Sequence, residues 1–213
     1  MKRKIFITLI LSLFLFNAHS QSKMETMIEE RIAILDTVRT KETLVKVANE
    51  FERMSLIDKT DWLIPYYTAY SYINIASLSK PSEIEAYCNR AENYIALAEK
   101  LNPDASEIYA LYAYLYGIKV NIDPMVLGAE LGKKSADYVN LALKANPENP
   151  RPYLIRAFGI YYTPKAFGGG EERAIPVLKE ALQKFSDFKP VNSIAPHWGE
   201  NTAQELLNSC LNK

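Results

Sequence analysis

A helix-hairpin signature occurs twice in register along this chain, and it constrains the fold more than any other feature. Ala91, Ala98 and Pro103 close one helix and open the next, which carries Tyr109, Ala113 and Tyr116. Ala142 and Pro147 repeat the arrangement ahead of Tyr153, Ala157 and Tyr161, and the two prolines lie 44 residues apart. A small residue at a close crossing, an Asn-Pro turn and then a large aromatic wedge is what stacked helix pairs require. Such stacks make binding surfaces more often than active sites.

Apolar residues recur at helical spacing almost throughout, and no alternating Val/Ile/Thr run is bounded by a hairpin turn. The periodicity predicts nine helices. They lie near Met24–Thr37, Lys41–Ser55 and Asp61–Leu78, then from after Lys80-Pro81-Ser82 to Leu101, from after Pro103-Asp104 to Val120, near Met125–Lys144, from after Asn149-Pro150 to Tyr162, and near Glu171–Phe185 and Trp198–Leu211. Gly128 and Gly132 offer points of interruption in the sixth. Pro81 suits a first helical turn and Ser82 can accept from an orphan N–H there. Paired, the elements give an all-α fold of about four hairpins and a C-terminal capping helix.

Met1–Ser20 has the marks of a signal peptide: Lys2, Arg3 and Lys4, an apolar run from Ile5 to Phe16, and small residues before Gln21. That run is shorter than the roughly 17–25 residues of a transmembrane helix. The expected domain is 21–213, exported, in the periplasm or secreted, with no membrane insertion after cleavage. Removing the three basic residues leaves 22 basic against 25 acidic side chains, a net charge of −3. With both signs interspersed and no basic stripe, nucleic acid is a poor partner. Cys88 and Cys210 are compatible with either a disulfide or two inert thiols.

Catalytic and metal constellations are missing. His197 is the one histidine outside the leader and cannot build a metal cluster alone. Next to Trp198 it reads as a capping or packing residue. Gly168-Gly169-Gly170 lacks the Gly-Lys-Ser/Thr of a phosphate loop, and Glu171-Glu172 follow it, so a close-packing turn is the better reading. No cofactor is expected, and no enzyme activity.

The tyrosines carry the functional expectation. All 14 lie between Tyr66 and Tyr162, and eleven fall on the first helices of three hairpins. With Pro65, Tyr109 and Tyr153 as equivalent wedges, Tyr66, Tyr70, Tyr114, Phe158 and Tyr161 point toward a groove, and Arg151 sits beside them. Tyrosine gives contact area at low entropic cost plus a hydroxyl, which suits recognition. Packing between helix layers is the competing use of the same rings.

The Ala91/Ile95/Ala98/Pro103 pattern, its partner ending in Ala142, Leu143 and Pro147, and Ala174/Leu178/Ala181/Leu182 resemble tetratricopeptide repeats, over roughly Asp61–Phe185. The resemblance implies a right-handed α-α superhelix whose first helices line the concave face. Phe51-Glu52-Arg53-Met54, Trp62–Tyr67, Phe167–Gly170 and Pro196–Gly199 also resemble a group of exported repeat proteins of Gram-negative envelopes. That second resemblance supports fold and compartment more than function; the hairpin repeats, the aromatic bias and the missing catalytic set point to a non-catalytic protein that binds a protein or peptide in a tyrosine-lined groove. The alternative is a small-ligand binder or an accessory of solute uptake.

Overall fold

The structure, a computed structural model, describes residues 23–38, 40–101 and 104–212. The signal-peptide expectation and Pro103 lie outside these residues. The described chain is all-α, with nine α-helices and no strand. They are α1 (residues 23–37), α2 (Lys41–Ile57), α3 (Leu63–Ser77), α4 (Pro81–Lys100), α5 (Ala105–Lys119), α6 (Pro124–Ala145), α7 (Pro150–Tyr162), α8 (Glu171–Asp187) and α9 (Glu200–Leu211). None of them is long and apolar enough to cross a membrane.

Local chemistry sets the helix starts. Asp104, Asp123 and Asn149 each precede a helix and accept from its first free N–H groups, and Pro124 and Pro150 fill first turns where an N–H is dispensable. At α4 the expected Ser82 cap is replaced. The Lys80 N–H donates to the Glu83 carboxylate at 3.2 Å, so the acid at the third helical position, in the first turn, reaches back instead. α6 runs unbroken through Gly128 and Gly132.

Each helix packs chiefly on its chain neighbours, and α3 also meets α5, which meets α7. Antiparallel pairing is read directly from side chains. Tyr112 reaches Glu99, whereas Tyr116 and Lys119, further along α5, reach Glu92, earlier on α4. Small residues allow close approach between α5 and α6. Ser106 Oγ donates to the Ala142 carbonyl at 2.9 Å, and Ser135 Oγ donates to the Ala113 carbonyl at 2.7 Å.

α3 is the central helix, buried over nearly its whole length against α2, α4 and α5. Residues 188–199 form an irregular strap between α8 and α9 that lies over the first helices. Trp198 belongs to this strap, not to the last helix as its position predicts. Gly199 adopts a φ of +114°, and a Cβ there would meet the Phe185 and Leu154 side chains at 2.8 and 2.9 Å. That left-handed step, cheap only for glycine, turns Trp198 inward before α9 begins.

Candidate functional site

Tyr70, Tyr114 and Phe158 occupy one position in three successive first helices, 44 residues apart each time. Their rings meet around Trp198. Tyr70 stacks on the indole at 4.6 Å and 22°, and Tyr114 lies 5.9 Å from it at 26°. Phe158 lies 5.9 Å from Tyr114, Tyr162 continues to Phe158 at 6.5 Å, and Tyr161 packs edge-on against Tyr162 at 4.9 Å. The result is a continuous aromatic row crossing α3, α5 and α7. Tyr70, Tyr114, Phe158 and Tyr161 are each half-buried, and Tyr162 is 73% exposed.

The other two expected groove residues stand elsewhere. Tyr66 and Arg151 are 0% and 1% exposed. They sit one or two turns nearer the helix starts, under the strap. There Arg151 Nε donates to both Glu107 oxygens at 2.8 Å, and its Nη2 donates to Glu107 as well. Tyr66 donates to the same carboxylate at 2.7 Å, Asn149 donates at 2.8 Å, and Trp198 Nε1 donates to the Tyr66 hydroxyl at 2.9 Å. The Arg151 guanidinium faces the Phe188 ring at 4.7 Å, and its Nη1 is buried without a hydrogen-bond partner. Burial alone would lower the Arg151 pKa, but the adjoining Glu107 charge overrides it and holds the cation. Burial, then Glu107, pushes the Tyr66 phenol well above its ordinary range, so it stays a donor.

The strap thus divides the face of the first helices. Toward their starts it seals a polar network, and toward their ends it leaves the aromatic row partly open. Sequence reasoning missed Glu107 and Asn149 as members of this network. The available signal was the register itself, since Glu107 and Arg151 are also 44 residues apart.

Three further contacts fasten the strap. Tyr67 donates to the Ile194 carbonyl at 3.0 Å, Ser193 donates to Glu29 of α1, and His197 Nε2 lies 3.3 Å from Asp36. The remaining ring nitrogen of His197 lies 2.8 Å from the Ala195 carbonyl, so both nitrogens are engaged. The hydrogen bond to Asp36 raises the His197 pKa despite burial, so the folded state favours imidazolium. The stabilisation is therefore complete below the ordinary histidine value of about 6.5 and fades as pH rises through the elevated one. Asp36→Asn should flatten the fall in urea midpoint between about pH 5.5 and about pH 8. A wild-type slope retained in the variant would remove His197 as its source.

No disulfide joins Cys88 and Cys210, and burial pushes the Cys88 thiol up to about 12, an inert core sulfur. No group of three or more His, Cys, Asp or Glu side chains among the described residues is placed to hold a metal ion.

No protein-family model matches the chain, and no curated protein sequence does. Among solved structures, it is similar to the HusA haemophore from Porphyromonas gingivalis. The TM-score is 0.78 and the sequence identity 33%, over 87% of this chain and 92% of that chain.

Proposed function

The chain belongs to the same family as the HusA haemophore, and from that premise we propose that it is an exported, non-enzymatic binding protein for a flat conjugated ligand of the haem type. The observation that carries this reading is the aromatic row. Tyr70, Tyr114, Phe158, Tyr161 and Tyr162 present ring faces and edges along one line, backed by Trp198. Offset stacking on such rings is worth about 0.5–1.5 kcal/mol per pair beyond burial. A broad planar molecule engages several at once. This favours the small-ligand alternative over a protein or peptide partner, because a haemophore carries a small molecule.

The binding is held by ring faces and not by an iron bond. His197 has both nitrogens engaged. Phenolate can serve haem iron, but the partial desolvation of the otherwise exposed Tyr162 against Phe158 and Tyr161, then the Tyr161 hydroxyl, raises its pKa, which makes its phenolate costlier at neutral pH.

Haem and a metal-free porphyrin are therefore expected to bind with affinities within about tenfold of each other, as read by absorbance and tryptophan-emission titrations. Tyr114→Ala should weaken both by about tenfold or more, since loss of a central ring contact costs on the order of 2 kcal/mol. Saturable binding of neither compound to the wild type would overturn the reading. Binding of haem alone would show that iron ligation, not stacking, holds the ligand.

A further inference from the structure

The loop after α7 spends three glycines to hold one aromatic ring in water. Phe167 ends a short 3-10 turn, Lys165–Phe167, and is 82% exposed. The loop is nonetheless wound tightly onto α7. Gly170 N–H donates to the Ile160 carbonyl at 2.8 Å, Phe167 N–H and Gly169 N–H donate to the Pro164 carbonyl, and Arg173 Nη1 donates to the Gly168 carbonyl at 2.9 Å. Gly168 and Gly170 sit at φ +88° and +105°. A Cβ on Gly169 would fall 2.1 Å from the Thr163 carbonyl oxygen and 2.6 Å from that of Ile160. Backbone on both sides of that contact leaves no room to give.

A ring 82% exposed on a backbone fixed in this way adds little burial to the fold. Five residues earlier, at the end of α7, Tyr162, 73% exposed, continues the aromatic row through Phe158 and Tyr161. The row is sealed at Trp198, 5% exposed, and becomes open at its α7 end. Exposed aromatics at the end of α7 and on the tightly wound loop that follows it are placed for contact with something outside the chain.

We propose that Tyr162 and Phe167 form the outer jaw of the binding site, closing on the exposed end of the same planar aromatic ligand and setting how long it is retained. This rests on the functional reading above. The glycine triplet is then the frame of the jaw: it fixes where Phe167 stands, and the fit to the ligand depends on that position.

The test is haem titration with stopped-flow dissociation on five variants: Phe167→Ala, Tyr162→Ala, Phe167→Tyr, Gly169→Ala and Tyr114→Ala. Phe167→Ala and Tyr162→Ala are expected to raise Kd about five- to twentyfold, mostly through faster release, with little change in melting temperature because both residues are mostly exposed. Phe167→Tyr keeps the ring and should restore near wild-type release. Gly169→Ala, with Phe167 intact, should also speed release. Affinities within twofold of wild type in both alanine variants, with Tyr114→Ala still weakened, would overturn the jaw and leave the aromatic-row reading standing. Failure of the wild type to bind haem would overturn both.

Discussion

Glu107→Ala is expected to destabilise the protein by about 3–5 kcal/mol, the range for breaking one partner of a buried ion pair. Glu107 is 4% exposed and accepts from Arg151, Tyr66 and Asn149. Its loss leaves an Arg151 guanidinium in the interior with Phe188 and Trp198 rings as its neighbours and no counter-charge. Three donors lose their acceptor together. Domains of this kind have about 5–15 kcal/mol in total, so a large fraction would go. The double variant Glu107→Leu/Arg151→Leu removes both charges, and it should recover much of the loss because the desolvation cost disappears with them. Urea unfolding of the two variants measures the contrast. A Glu107→Ala loss under about 1 kcal/mol would mean that water or a shifted backbone already serves Arg151.

Trp198→Ala should cost about 3–5 kcal/mol of stability as a large-to-small core change, and should abolish tight ligand binding as well. The indole is the backing on which Tyr70 and Tyr114 rest, and its N–H ties the row to Tyr66 and hence to the Glu107–Arg151 pair. Removing it frees both tyrosines to collapse into the space. Trp198→Phe keeps a ring but loses the hydrogen bond, and should retain most of the affinity at a smaller stability cost, about 0.5–1.5 kcal/mol for the bond. Emission from Trp198 in a Trp62→Phe background should be quenched as haem binds. Wild-type affinity in Trp198→Ala, or no quenching, would take Trp198 out of the site.

The sequence by itself determined the helices, because their causes are local. Apolar spacing, Pro124 and Pro150 in first turns, and Asp104, Asp123 and Asn149 at caps act within a few residues. The start of α9 is the clearest miss. Nothing adjacent to Trp198 says that Gly199 will turn left-handed, since that step is selected by the packing of Phe185 and Leu154 far away.

Tyrosine clustering also drew attention to α3, α5 and α7, where the rings of Tyr70, Tyr114, Phe158 and Tyr161 form one row. Which rings stay open was decided only by tertiary structure. Tyr66 and Tyr70 are one turn apart on α3 and chemically identical, yet one is sealed and the other half-open. The strap makes the difference: Trp198, from 132 residues away, covers the first and stacks on the second. Arg151 shows the same limit. A cation beside an aromatic face reads as a surface group until a carboxylate 44 residues earlier, on a different helix, offsets the cost of burying it. Helical periodicity is a property of neighbouring residues and is written in the chain. Burial is a property of what arrives from elsewhere, and here it arrived with the C-terminal strap.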